Sequence, residues 1–172
     1  MQFCNWRKKR KVRAACSDRE LHAIIRQMKA KAIKSGVVVM KREMVAPCGM
    51  NCNLCSWVLD PAKPGCVGCR PRGRGCIHKI GLCSKLAKGE IDSCHQCDRF
   101  PCASLLVIEK RYVRAHNYSF VENLNYIRRR GMPAFLRREL KRYSCPSCDK
   151  LLTVHSDICP HCRQRYNRKN RR

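Results

Sequence analysis

The stretch Cys145-Pro-Ser-Cys-Asp-Lys-Leu-Leu-Thr-Val-His-Ser-Asp-Ile-Cys-Pro-His-Cys162 decides the reading of this sequence. Two Cys-x-x-Cys turns are held apart by the ten residues 149–158, and each turn presents two thiolates on one side of a tight loop. Facing one another, two such turns complete a four-sulfur tetrahedron with no vacant position, which is the arrangement of structural zinc or of a rubredoxin-like iron site. Leu151, Leu152 and Val154 between the turns suit a short hairpin, so the spacing predicts a zinc ribbon over 144–163 and a basic tail over 164–172. His155 and His161 are spare nitrogen donors, but with four thiols in place they read as surface histidines.

Toward the N-terminus the same spacing returns, because Cys52-x2-Cys55 is followed after ten residues by Cys66-x2-Cys69, which predicts a second four-thiolate site. Cys76, Cys83, Cys94, Cys97 and Cys102 could supply a third, with Cys94-x2-Cys97 as its turn and Cys83 or Cys76 closing it. His78 and His95 could each replace a thiol. Cys48-x3-Cys52-x2-Cys55 also has the three-cysteine spacing of radical enzymes that hold an open iron-sulfur cluster. Those enzymes need a long barrel of alternating strands and helices, for which this stretch has neither length nor pattern. A non-catalytic iron-sulfur cluster in this region stays open beside zinc.

Prolines 47, 61, 64 and 71 and glycines 49, 65, 68, 73 and 75 interrupt any periodicity between 46 and 102, so turns fixed by metal ligation are expected there. Helical spacing returns over Leu105–Val113. It returns again from Ser119, whose capping box with Glu122 opens a helix carrying Phe120, Leu124 and Ile127 until Gly131 stops it. Pro133 opens a further turn of helix with Leu136 and Leu140 inward, leaving Arg128, Arg129, Arg130, Arg137 and Arg138 toward solvent or a partner. Near the start, Ser17 with Glu20 caps a helix whose Leu21, Ile24, Ile25, Met28 and Ala32 share one face, and residues 1–16 read as a basic arm.

With 16 cysteines but only 4 Phe, 5 Tyr and 2 Trp, the apolar core is thin, and metal or disulfide must help offset chain entropy. No apolar stretch long enough for a secretion signal or a membrane span is visible, which favours a reducing cytoplasm and metal thiolates over disulfides. The net charge of +26 is concentrated at the ends: residues 1–42 hold 13 Lys and Arg against 2 Asp and Glu, and residues 126–172 hold 14 against 3. Such a surface favours polyanions such as RNA or the ribosome, or else serves only to keep the chain soluble. Arg163 and Arg165 join the helix arginines as candidate phosphate contacts, and Tyr126, Tyr143 and Tyr166 lie among them as candidate base-stacking groups. Gly-rich phosphate loops, nucleophile elbows and paired catalytic carboxylates are absent from the sequence.

The run Ala46-Pro-Cys-Gly-Met-Asn-Cys-Asn-Leu-Cys55, with Cys66-Val-Gly-Cys-Arg70 and Cys94-His-Gln-Cys-Asp-Arg-Phe-Pro-Cys102, resembles the family called domain of unknown function 3795. The likeness continues through Tyr118–Leu136 into the terminal turns and spans roughly Lys41 to Cys162. It implies metal binding rather than a reaction, and a setting in which iron-sulfur competes with zinc. Residues 1–39 depart from the family pattern, which begins near Met40, so translation from Met40 or Met44 is a second reading of the basic arm.

The expectation is therefore a small metal-stabilised α+β fold. It has a basic extension with one amphipathic helix over 1–42, a Cys-rich core over 43–104, helices over 105–143, and the ribbon and tail. Its expected role is a non-enzymatic, cytoplasmic metal-binding module that contacts RNA or a ribonucleoprotein and no membrane. An iron-sulfur redox protein and a protein-binding adaptor stand beside it as alternatives.

Overall fold

The computed structural model describes residues 38–63, 65–70 and 83–167, all within the unit that begins at Val38. The expected basic arm, the helix capped by Ser17, Cys4, Cys16, Cys76, His78 and the last residues of the basic tail lie outside them.

From Val38 to Cys102 the described chain is built of single turns. Residues Arg42–Met44, Cys52–Leu54 and Cys94–Gln96 form 3-10 turns, while Ser56–Leu59 (α1) and Ser84–Ala87 (α2) are one-turn helices. The turns are fastened by their own polar groups. Asn51 Oδ1 accepts from Asn53 N at 3.2 Å, and Gln96 Oε1 accepts from Ser93 N at 3.1 Å and Asp92 N at 2.8 Å. Arg70 stitches two loops together by donating from Nε to Val45 O and from Nη2 to Asp92 O.

Two longer helices follow, Ala103–His116 (α3) and Phe120–Tyr143 (α4). In α3 the residues Leu105, Ile108 and Tyr112 fall on one face at helical spacing and are buried. Asn117 ends it with a left-handed φ of 51°, which lets Tyr118 N reach back to Tyr112 O at 3.4 Å. The start of α4 matches the sequence expectation only in part. Ser119 Oγ does accept from Glu122 N at 2.9 Å, but Glu109 of α3 supplies the other acceptor. Its Oε2 accepts from Phe120 N at 2.7 Å and Val121 N at 3.2 Å, and its Oε1 accepts from Ser119 Oγ. A carboxylate over unpaired N–H groups at a helix start is favoured by hydrogen bonding and by the helix dipole.

Gly131 (φ 79°, ψ 163°) breaks α4 where the sequence places a stop, and Pro133 restarts it. The first half buries Phe120, Asn123, Leu124 and Ile127; the second buries Phe135, Glu139 and Tyr143. Leu136 and Leu140 are partly buried against the same core.

One apolar cluster unites the turns, the helices and the C-terminal segment: Met40, Met44 and Leu54 pack with Leu105, Phe120, Leu124, Leu152 and Val154. Cys48, Cys52, Cys94, Cys145 and Cys159 belong to that cluster, so thiols occupy positions that larger apolar side chains fill in other cores. Gly49 explains how closely the first loop approaches α4. At its φ of 90° an added Cβ would sit 2.6 Å from Phe120 O and 2.8 Å from Leu124 Cγ, and Asn123 Nδ2 donates to Gly49 O at 3.1 Å.

A polar chain crosses this core. Asn51 N donates to Tyr118 Oη at 3.4 Å, and Tyr118 Oη donates to the fully buried Glu139 at 3.0 Å. Glu139 Oε1 then accepts from Arg138 at 3.3 Å and Arg142 at 3.4 Å. Burial pushes the Glu139 carboxyl up, while Arg142 and Arg138 pull it back.

The β component of the expected α+β fold is corrected. Among the described residues pairing is confined to the isolated antiparallel bridges Val45–Asn51, Ser144–Leu151 and Ile158–Arg165. Of the anticipated hairpin through Leu151, Leu152 and Val154 a short pairing remains, the Ser144–Leu151 bridge with Leu152 N donating to Tyr143 O at 2.8 Å; Val154 N bonds instead to Leu54 O, and all three side chains are buried. No described helix is long and apolar enough to cross a membrane.

Candidate metal centre

The two C-terminal turns are built alike. Asp149 N donates to Cys145 O and Cys145 N to Lys150 O, at 2.9 and 2.8 Å; Arg163 N donates to Cys159 O and Cys159 N to Gln164 O, at 3.1 and 2.9 Å. The residue after each second cysteine takes a left-handed φ, 55° at Asp149 and 63° at Arg163, which curls the backbone around the thiols. These turns bring Cys145 Sγ within 3.7 Å of Cys162 Sγ and Cys148 Sγ within 3.8 Å of Cys159 Sγ, with all four sulfurs inside 4.8 Å.

Those separations identify the geometry. A disulfide needs sulfurs at about 2.05 Å. A tetrahedron with metal–sulfur bonds of about 2.3 Å has sulfur–sulfur edges of about 3.8 Å. The four cysteines therefore form a cluster that can hold one tetrahedral metal ion, and the geometry is common to zinc and iron. Among the described residues no other group of three or more His, Cys, Asp or Glu draws its ligand atoms this close.

The thiols of Cys145, Cys148 and Cys162 are perturbed in opposite directions. Burial pushes the Cys145 thiol up, but hydrogen bonds from the backbone of Ser147 and Cys148 and from the thiols of Cys148 and Cys162 bring it down to about 7. The backbone N–H of Lys150 favours the Cys148 thiolate, yet burial and the thiols of Cys162, Cys145 and Cys159 raise it to about 12. The Cys162 thiol has the same pattern, with Gln164 N–H favouring the thiolate and a net rise. Four sulfurs at this spacing cannot all carry charge alone, and a divalent ion removes that repulsion while the turn N–H groups orient the ligands.

One carbonyl takes two of the bonds that fix the site to the rest of the fold. Leu54 O, in the turn between Cys52 and Cys55, accepts from Val154 N at 3.0 Å and from Thr153 Oγ1 at 2.9 Å. Beside it Ser56 N donates to His155 Nδ1 at 3.2 Å, leaving Nε2 to meet Tyr112 Oη at 3.2 Å. His155 is thus half-buried and structural rather than a surface histidine, whereas His161 is exposed as expected. Tyr166 is also drawn inward, donating from its hydroxyl toward Thr153 O and Ser156 O.

The mid-chain cysteines occupy two neighbourhoods. Burial raises the Cys55 thiol, the backbone N–H of Trp57 lowers it, and the charges of Cys52 and Cys66 raise it further. Cys94 is pushed up to about 12 by burial and by the charges of Cys102, Cys83 and Cys97. Cys48 and Cys52 are buried and Cys69 half-buried nearby in sequence. Among the described residues neither neighbourhood gathers three thiols within 4.8 Å. His95 bonds to Ser93 Oγ at 2.9 Å, and Cys76 lies outside the described residues.

Of the arginines, Arg128, Arg129, Arg130, Arg137, Arg163 and Arg165 are exposed, and Arg165 is paired with Asp157 at 2.8 Å. Arg138 is corrected, because it does not face solvent. It donates to Asn123 Oδ1 at 2.7 Å and to Glu139, and its guanidinium lies 4.1 Å from the Tyr126 ring centre. Its partner Glu139 is the reason, since a carboxylate that deep needs a cation beside it. Tyr143 is buried and cannot stack on a base. Spacing did not single out Glu109, Glu139 or Trp57, since single charged or aromatic residues carry no periodicity; Glu139 does fall at helical spacing from Phe135, which could have flagged it as inward-facing.

Comparison of the chain with protein-family models, with curated proteins and with solved structures finds no match in any of the three, so what this site does rests on its own residues.

Proposed function

We propose that the chain is a cytoplasmic, metal-stabilised binding module whose ribbon holds one zinc ion and whose cationic surface contacts RNA or a ribonucleoprotein. The four C-terminal sulfurs at tetrahedral spacing carry this reading, because a closed thiolate site supplies folding energy and leaves no position for substrate. In the same proposal Cys48, Cys52, Cys55, Cys66, Cys69, Cys76, Cys83, Cys94, Cys97 and Cys102 hold further zinc or an iron-sulfur cluster. The resemblance to domain of unknown function 3795, which rests on their spacing, belongs to it too. The RNA partner is supported by the net charge of +26 and by the exposed arginines beside the ribbon and on α4.

Metal analysis of anaerobically purified protein is the test. Colourless protein with about three zinc ions supports the reading, and brown protein with iron and sulfide gives the mid-chain cysteines to redox chemistry. Absence of any bound metal refutes both. RNA affinity that stays constant between low and moderate salt removes the RNA partner, because phosphate contacts release counterions.

A further inference from the structure

Trp57 is a large aromatic side chain left 51 % exposed. It sits in α1, one residue after Ser56, and Lys63 Nζ lies 5.4 Å from its ring centre while donating to Ser56 Oγ at 2.9 Å. Trp57 does not itself line a cleft, but its neighbours Ser56 and Lys63 do: they border one of about 200 Å³ whose lining also includes Ser156 and Arg163. The cleft is rich in donors. Ser56 Oγ accepts from Lys63, and Ser156 Oγ accepts from Ile158 N at 3.0 Å, so each hydroxyl keeps its own proton to donate. Arg163 enters from the second ribbon turn, where its left-handed φ of 63° follows from the curl around Cys162. Asp60 is the carboxylate in the lining, and its Oδ1 is already occupied by Ala62 N at 3.1 Å.

We propose that Trp57 and this cleft form a single-nucleotide subsite for single-stranded RNA: the indole stacks one base while Lys63, Arg163 and the hydroxyls of Ser56 and Ser156 take the adjoining phosphate. The subsite deepens the RNA reading and rests on it. An acceptor-only phosphate matches the two cations and two hydroxyl donors of the cleft, which outnumber its one carboxylate at Asp60, and a stacking ring next to a cationic groove is the general solution for binding unpaired strands. One part of the subsite comes from the mid-chain turns and the other from the ribbon. His155 fixes the two together through its bond from Ser56 N, and the bond from Arg163 N to Cys159 O holds the Arg163 backbone to the second ribbon turn.

The full chain with Trp6→Phe makes Trp57 the sole tryptophan of the two in the sequence. A labelled twelve-nucleotide oligouridylate is titrated against it in buffered zinc, with anisotropy reporting binding and indole emission reporting stacking. Saturating RNA quenches Trp57 emission, and Trp57→Ala weakens binding roughly tenfold while Trp57→Phe retains most of it, as expected for one stacked base. Lys63→Gln lowers the salt slope by about one. Zinc content is measured on each variant, and for any variant that loses zinc the emission of the intact single-tryptophan protein decides. RNA binding with neither quenching nor sensitivity to Trp57→Ala overturns the subsite and leaves the RNA reading standing. No binding of the oligouridylate at low salt overturns both.

Discussion

The ribbon reading makes stability a function of free metal in a way that counts ions. If an ion binds only the folded chain, each tenfold rise in free zinc above its dissociation constant adds about 1.4 kcal/mol of stability per site. For a unit of this size that corresponds to roughly 4 °C in Tm per decade for each site lost on unfolding. The structure isolates one of these contributions. Cys159 is fully buried and belongs to the ribbon alone, so Cys159→Ser removes one site's share of the slope and leaves whatever the mid-chain cysteines add. The measurement is thermal unfolding under reducing conditions across three decades of chelator-buffered free zinc, for wild type and Cys159→Ser. X-ray absorption supplies an independent check, because sulfur–sulfur edges of 3.7 and 3.8 Å correspond to metal–sulfur bonds of about 2.3 Å. A Tm that does not respond to free zinc refutes the reasoning, as does a Cys159→Ser variant whose slope equals that of wild type.

Glu139→Ala leaves Arg138 and Arg142 beside an emptied buried position and is expected to cost about 3–5 kcal/mol in urea unfolding. Loss below 1 kcal/mol would show that the carboxylate is dispensable. Tyr118→Phe deletes the hydroxyl between Asn51 N and Glu139 and should cost about 1–3 kcal/mol. Burial, followed by Glu139 and Tyr143, holds the Tyr118 phenol well above its ordinary range, so the folded chain keeps a proton that the unfolded chain releases above about pH 10. Stability should therefore fall as pH rises through that point, and the fall should be shallower in Tyr118→Phe; parallel curves would contradict it. Gly49→Ala places a methyl group 2.6 Å from Phe120 O in a left-handed backbone, and a loss of at least about 1–3 kcal/mol is expected. An unchanged urea midpoint would mean that this loop does not press on α4 as described.

The ribbon was legible because its information is local: two Cys-x-x-Cys turns fix four ligands within 18 residues. The helix bounds at Ser119, Gly131 and Pro133 were legible for the same reason, since caps and breakers act on their own neighbours. What the sequence concealed depends on distant partners. Glu109 completes the start of α4 from another helix, and no spacing rule pairs positions 109 and 120. Arg138 reads as one more cation in an arginine-rich helix until Glu139, buried beside it, turns it inward. The shortness of the hairpin has a related cause. Leu151 and Leu152 pair only briefly, with Tyr143–Cys145, before Val154 turns to Leu54 O and the apolar core, so burial ends the pairing early.

The carbonyl of Leu54 waits a long time for its partners. Thr153 is 99 positions downstream, so at about 5–20 residues per second a ribosome needs roughly 5–20 s to deliver it after Leu54 has emerged. Throughout that interval the early cysteines are outside the finished core and open to any passing oxidant or ion. The order of synthesis therefore imposes a vulnerable period, one that ends only when the segment between the two ribbon turns leaves the exit tunnel and Thr153 and Val154 reach Leu54 O.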